Sequence, residues 1–294
     1  MPATPATIAL DDCPACQAEG GDDFALGDAE LRRCHGCGTV YARRYADPAA
    51  IYVDGYYRAA MGFGIDIRHP RFQAYLREVN VQRAALVERT VGRAGTVLDV
   101  GCGTGDFLMA LRERGWRVAG VDPIQEATEL ARERGLDVRT GTLEDSGIPM
   151  GVWDVVSAVH VLEHMSDALG FLRTVARWVR PGGHLLVESP NWASRLRRER
   201  GPGWADLRPM EHLVHWTPDT LGATLQRTGL EPVAVRTLTW GSALHTPIEA
   251  AADIARPRLA RLPAPLSLRA ASVLRRLDER RGRGMVVWAL GRAR

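Results

Sequence analysis

The chain has 294 residues, 46% hydrophobic and 25% charged, with a formal net charge of +3. These are the proportions of an ordinary globular protein of one large or two smaller domains, and no apolar run is long enough to span a membrane. All 38 basic side chains are arginine, which excludes Schiff-base chemistry, the lysine-bearing phosphate loop and the kinase strand lysine.

Residues 1–10 are rich in Ala, Pro and Thr and are expected to be disordered. They show no basic segment followed by an apolar one, so a cytoplasmic protein is expected. Residues 11–45 carry four of the five cysteines: Cys13, Cys16, Cys34 and Cys37, two C-x2-C pairs separated by seventeen residues. Paired thiolates at that spacing suit a tetrahedral zinc ribbon. Gly36 and Gly38 would let backbone N–H groups turn toward the sulfurs. Disulfides are the weaker alternative in a reducing compartment. Four protein thiolates leave no coordination position open, so the zinc would be structural. Phe24–Leu26 and Leu31–Arg33 read as short strands between the knuckles. Residues 1–30 carry seven acids and no arginine.

Residues 46–90 divide into a Tyr- and Gly-rich connecting loop (Tyr52, Tyr56, Tyr57) and a helix. Phe72, Tyr75, Leu76, Val79, Ala84, Leu86 and Val87 recur at helical spacing from Pro70 to about Val91. From 91 to 294 strands and helices alternate. The strands are Thr96–Val100, Arg117–Asp122, Asp137–Thr140, Trp153–Ala158, His184–Glu188, Glu231–Leu238 and Met285–Leu290. The helices are Asp106–Arg114, Ile124–Arg134, one capped by Ser166 and ended by Pro181-Gly-Gly183, and one opened by Thr217-Pro-Asp219 and closed at Gly229. Such alternation predicts a doubly wound α/β sheet.

The first of these strands runs into Asp99-Val-Gly101-Cys-Gly103-Thr-Gly105. The glycines allow close backbone approach to a ligand at the N-terminus of the next helix. The spacing is not that of a dinucleotide fingerprint, and the carboxylate ahead of it would repel a pyrophosphate. An amino or sulfonium group would suit it. Asp122, ending the second strand, is placed to take ribose hydroxyls. Glu144 and Asp145 follow the third strand, within reach of an adenine edge.

Asp99–Gly105, Val121-Asp122, Leu143–Asp145, Trp153–Val156 and Val179–Gly183 together resemble the successive motifs of class I S-adenosylmethionine-dependent methyltransferases. The resemblance covers roughly residues 70–294. It implies a Rossmann-like sheet of order 3-2-1-4-5-7-6 with the seventh strand antiparallel. It also implies that Asp99 and Gly101 lie near the methionine part of the cofactor, with Gly103 and Gly105 in the same cofactor-binding loop. Asp122 would hold the ribose, and Glu144 or Asp145 would lie at the adenine. In zinc-ribbon methyltransferases of this look a tyrosine pair folds over the cofactor, which makes Tyr57 a candidate; ordinary core packing is the alternative.

The fourth strand leads into His160-Val-Leu-Glu163-His164, and Glu211-His212-Leu-Val-His215 follows downstream. Histidine titrates near working pH, so His164 is the first candidate base, with His160, His212 and His215 as further candidates. Ubiquinone-pathway O-methyltransferases and small-RNA 2′-O-methyltransferases carry E-x-x-E-H here, a set that can bind a divalent metal. Here His160 stands for the first Glu, so a second metal at His160, Glu163 and His164, joined by His212, competes with the acid–base role and with plain backbone hydrogen bonding.

Between the sixth and seventh strands lies an insertion at about 240–284. Leu266, Ala270, Val273, Leu274 and Leu277 form an apolar helical stripe in it among arginines. It reads as a substrate lid, a basic membrane-surface helix or a homodimer contact. Arg195, Arg197, Arg198 and Arg200 border the acceptor side and suggest an anionic acceptor. The expected function is methyl transfer to a hydroxyl or carbon of a small molecule: a sugar, a glycan or a secondary metabolite. The alternatives are an RNA methyltransferase gripping RNA with the ribbon, and a non-catalytic cofactor-binding partner protein. The acidic ribbon argues against nucleic acid.

Overall fold

The computed structural model describes residues 7–47, 70–240 and 273–294. The N-terminal region forms β1 (Thr7–Ala9), β2 (Gly21–Leu26), β3 (Ala29–Cys34), β4 (Val40–Ala42) and β5 (Arg44–Ala46). β2 and β3 pair as an antiparallel hairpin, and β4 adds beside β3. β1 pairs antiparallel with β5, setting Ile8 opposite Tyr45. Thr7–Ala9 therefore departs from the disordered start expected over 1–10. Its partner strand lies far along the chain, where no local pattern could announce it.

Then follow α1 (Pro70–Val91), β6 (Thr96–Val100), α2 (Asp106–Arg112), β7 (Arg117–Asp122), α3 (Gln125–Glu133), β8 (Asp137–Thr140) and β9 (Trp153–Val159). After them come α4 (Ala168–Ala176), β10 (Val179–Pro190), α5 (Arg195–Arg200), β11 (Val214–His215), α6 (Pro218–Arg227), β12 (Glu231–Leu238), a helix α7 over 273–280, and β13 (Val286–Arg292). The seven-stranded sheet has the order β8-β7-β6-β9-β10-β13-β12. This is the expected 3-2-1-4-5-7-6 arrangement, and β13 runs antiparallel to both its neighbours.

Residues alternate between two apolar layers, as strand geometry requires. Leu98, Val156 and Leu185 join one cluster, while Val97, Val155 and Leu186 join the other. Fully burying each such side chain contributes about 1.5–3 kcal/mol. The second layer takes Val79, Ala84, Leu86 and Val87 from α1, the helical spacing read from the sequence. The first contains Cys13, Ala15 and Tyr41 of the N-terminal region beside sheet residues Leu98 and Val187. β11 extends the small sheet, pairing antiparallel with β4.

Two local expectations shift. Asp167, not Ser166, caps α4, its carboxylate accepting from the Gly170 N–H at 2.9 Å. Both residue types serve as N-caps, so sequence alone does not separate neighbours. Pro181-Gly-Gly183 lies inside β10 as a register irregularity between Val179 and His184, instead of preceding the strand. The cap at Thr217 stands as expected, with a reciprocal bond to Thr220. Among the described residues no helix is long and apolar enough to cross a membrane.

Candidate functional site

β6 ends at Val100, and Gly101, Gly103 and Gly105 all have positive φ (75°, 52° and 79°). A Cβ at Gly101 would run into Val161, so the glycine loop lies against the segment that follows β9. Asp122, buried at the end of β7, braces the loop: its carboxylate accepts from the Gly103 N–H at 2.8 Å and the Ile124 N–H at 2.9 Å. A carboxylate has about four lone-pair positions, so capacity remains for ligand hydroxyls. Burial raises its pKa, and those two backbone N–H groups pull the other way. Asp99 is buried and accepts from the Ser157 hydroxyl at 2.6 Å, across the β6–β9 register. Burial pushes it up to about 7 against the Ser157 hydrogen bond and the Arg83 charge. Two acids beside a glycine loop fit a ligand carrying a cationic group and hydroxyls, the chemistry of S-adenosylmethionine. Gly141 N–H donates to the Asp122 carbonyl at 3.0 Å, which sets the loop of Glu144 and Asp145 beside Asp122. Both side chains are exposed, and Asp145 accepts from the Thr142 hydroxyl at 2.7 Å. Tyr57, with Tyr52 and Tyr56, lies outside the described residues.

After β9 the chain turns sharply through His160, whose φ of +56° is unusual for a non-glycine residue. Its Nδ1 is 3.1 Å from Glu163 Oε1 and its Nε2 3.5 Å from Glu188 Oε1. Close packing alone would lower the imidazole's pKa. The two carboxylates overcome this and lift it to about 10, although the side chain is 43% exposed. Both nitrogens of His160 face carboxylates, which favours its protonated form over a base, and the ligand atoms that converge nearby are those of Glu163, His164 and His212.

Glu188, fully buried on β10, accepts from Arg83 of α1 through Nη2 at 2.6 Å and Nε at 3.1 Å, and from Trp240 Nε1 at 2.8 Å. Burial would raise its pKa, but Arg83 and then His160 hold it at about 2. Burial would likewise raise Glu163, and the His160 hydrogen bond brings it to about 2. The second Glu163 oxygen accepts from the Ser189 hydroxyl at 3.0 Å. Arg83, Ser157, Glu188 and Ser189 escaped the sequence reading. A carboxylate inside the apolar strand His184–Glu188 was the available signal, since a buried charge requires a partner.

His164 and His212 face each other, ring centroids 4.8 Å apart and nearly perpendicular. Each donates Nδ1–H to a backbone carbonyl: His164 to Glu211 at 2.9 Å and His212 to Asp206 at 2.8 Å. Those bonds put the lone pair on Nε2 in both rings. Burial lowers the pKa of His164, and lowers that of His212 further with the adjacent His164 adding to it, so both are neutral near pH 7. Glu163, His164 and His212 bring one potential ligand atom each within 4.8 Å of one another. His215 is elsewhere: it is buried with its ring 4.8 Å from Trp192 and 6.1 Å from Trp204. Burial drives it down to about 3, and its buried Nε2 has no partner among the described residues. Sequestered among tryptophans, it is not placed as a base.

The four cysteines also converge, their sulfurs within 4.8 Å of one another. Cys13 and Cys37 are 3.6 Å apart, as are Cys16 and Cys34. A disulfide would require about 2.05 Å. A tetrahedron with metal–sulfur bonds of about 2.3 Å has edges of roughly 3.8 Å, which these separations approach. Backbone N–H groups of Ala15, Ala18 and Thr39 face sulfurs, and Gly38 turns with φ +74°.

The expected arginine cluster is partly engaged. Arg195 pairs with Glu199 at 2.6 Å and with Asp278 of α7 at 3.4 Å. Arg197 donates Nε–H to the Trp192 carbonyl at 2.9 Å and lies 4.1 Å from the centre of its ring. Arg198 and Arg200 are exposed. Of the insertion, 273–284 docks beside α5 and β12, and residues 241–272 lie outside the described part. A cavity of about 330 Å³ lined by Thr90, Asp154, Arg180 and His184 sits at the opposite end of the sheet from the glycine loop.

A doubly wound sheet with an acid-lined glycine loop and a histidine pair at the same carboxyl end defines a nucleoside-cofactor enzyme class. Residues 68–235, more than half of the chain, match the family described as a methyltransferase domain, and the chain belongs to that family. Solved structures share the fold. An S-adenosylmethionine-dependent methyltransferase from Thermotoga maritima aligns with TM-score 0.55 and 19% identity, over 81% of this chain and 98% of that one. Another from Archaeoglobus fulgidus aligns with TM-score 0.51 and 20% identity, over 74% and 94%. Among curated proteins, a ubiquinone biosynthesis O-methyltransferase of Vibrio parahaemolyticus is 36% identical over 125 residues, covering 40% of this chain and 53% of its own. The Pseudomonas paraeruginosa protein of the same name is 36% identical over 124 residues, with the same coverages. The chain spans about half the length of these curated relatives.

Proposed function

We propose that this protein transfers the methyl group of S-adenosylmethionine to a hydroxyl of a small acceptor of the sugar, glycan or secondary-metabolite kind, with His164 receiving the proton. The observation that carries the reading is the contact of the glycine loop with the His160–His164 segment at Val161. This contact supports a cofactor site beside the imidazole pair. When bound, the cofactor supplies a methyl group on a sulfonium, a leaving group that needs no protonation. The protein's tasks are then to orient and to take a proton. Asp99 and Asp122 hold the cationic and hydroxyl ends of the cofactor. His164 takes the acceptor's proton at Nε2, while the Glu211 carbonyl keeps its Nδ1 protonated. His212 shapes the same pocket. The O-methyltransferase names of the curated relatives favour oxygen over carbon as the acceptor atom. Cys13, Cys16, Cys34 and Cys37 hold a structural zinc ion.

The test is transfer of isotope-labelled methyl from S-adenosylmethionine to a small-molecule fraction of cell extract, with cofactor binding followed by calorimetry. Absence of binding heat defeats the reading, as does label appearing only in RNA. A second reading, a divalent cation held by Glu163, His164 and His212, is favoured by the convergence of their ligand atoms. Manganese titration tests it: paramagnetic broadening of the His164 and His212 ring signals is expected, and unbroadened rings defeat it.

A further inference from the structure

We propose that the four-cysteine ribbon is a positioning element of the transfer site, holding the segment 191–216 that orients both histidines; this rests on His164 and His212 being that site. The segment has little regular structure of its own: the six-residue α5, two short helical turns and the two residues of β11. Its apolar side chains Trp192, Trp204 and Leu207 are buried in one cluster with Ala29, Leu31, Val40 and Ala42 of the ribbon. The ribbon is therefore much of that segment's core.

Hydrogen bonds say the same independently. β11 forms the edge of the ribbon sheet, with Val214 opposite Tyr41 and His215 opposite Val40. Ala46 N–H donates to the Met210 carbonyl at 3.1 Å. Ala42 N–H donates to the Leu213 carbonyl at 2.8 Å, and Leu213 N–H donates to the Glu163 carbonyl at 2.7 Å. One residue thus ties the ribbon to the turn carrying Glu163 and His164. The carbonyls that set both imidazole tautomers, Asp206 for His212 and Glu211 for His164, lie in this ribbon-held segment. The knuckle reaches the residue that leads into β4, because Cys34 N–H donates to the Thr39 carbonyl at 2.9 Å. The cofactor side is built otherwise. Asp122 is held by Gly103 and Ile124, and Asp99 by Ser157, all within the large sheet and its loops.

The ribbon should therefore control transfer and leave cofactor affinity alone. The decisive variant is Ala42→Pro, which removes the N–H given to Leu213 and touches neither the cysteines nor the glycine loop. The expected result is unchanged S-adenosylmethionine affinity by calorimetry, displaced His164 and His212 ring signals in NMR spectra, faster amide exchange at Leu213, and a fall in kcat of about 10²-fold. Ring signals and Leu213 exchange both unchanged overturn the proposal. Should this variant not fold, metal is withdrawn from the wild-type protein with a chelator and the same signals are read. Loss of cofactor affinity in step with the ring displacement then overturns the proposal, since the ribbon would be supporting the whole fold. Ring signals and exchange need no acceptor, so a wild-type protein that transfers no methyl marks failure of the functional reading, distinguishable from failure of the ribbon to hold the two rings.

Discussion

The two sides of the proposed site, one for the cofactor and one for the acceptor, draw on different ranges of the sequence. Asp122 reaches Gly103 and Ile124, and Gly103 belongs to the loop that directly follows β6. The acceptor side joins α1, the turn after β9, β10 and the 206–215 stretch through Arg83, Glu163, Glu188 and His212. The first kind of site is encoded by motif spacing. The second is encoded by which distant segments share a core, so it is the more sensitive to changes far from the chemistry.

The sharpest way to separate the two sides is His164→Ala. Loss of a positioned general base is expected to lower kcat by about 10²–10⁴-fold, with calorimetric affinity for S-adenosylmethionine unchanged. Equal losses in both would erase the distinction. Next in size, Glu188→Gln leaves Arg83 and His160 without their shared carboxylate. Breaking a buried ion pair of this kind costs about 3–5 kcal/mol, to be read from urea unfolding midpoints.

On the cofactor side the expected effect is smaller and depends on pH. Asp99 is raised to about 7 in the folded protein, above the ordinary 3.8. A raised acid pKa means the folded state keeps its proton longer than the unfolded state. Its contribution favours folding most below pH 3.8 and is lost as pH rises through about 7. A cationic ligand needs the ionised form, so calorimetric affinity should weaken as pH falls below about 7, approaching tenfold per unit. Asp99→Asn should abolish that slope and gain stability over the wild type above pH 7. The smallest effect is at a cap remote from both sides: Thr217→Ala should cost about 1 kcal/mol in thermal or urea unfolding.

The seven strands could be read from sequence because each announces itself by local pattern, while their order in the sheet came from the resemblance to class I methyltransferases. His164 and His212 were legible as chemistry-bearing residues, but their pairing was not, because it depends on folding 206–215 back against the turn after β9. The surroundings of His160 are legible only by half: Glu163 lies three residues on, whereas its second carboxylate neighbour, Glu188, comes from β10 and nothing near His160 in sequence reveals it. His215 shares the local pattern of its neighbours yet alternates to the tryptophan face when β11 pairs with β4. Strand pairing decided its direction.

Arg83, Glu188, His160 and Glu163 stand in a row of alternating sign. The row carries no net charge, so its influence on a ligand comes from direction and distance, as with a fixed dipole. Mobile ions near physiological strength screen exposed charges over about 8–10 Å but reach buried ones poorly. Three of the four side chains are 6% exposed or less. The field set up beside the histidine pair should therefore persist in concentrated salt, where a site built from surface arginines would lose its grip.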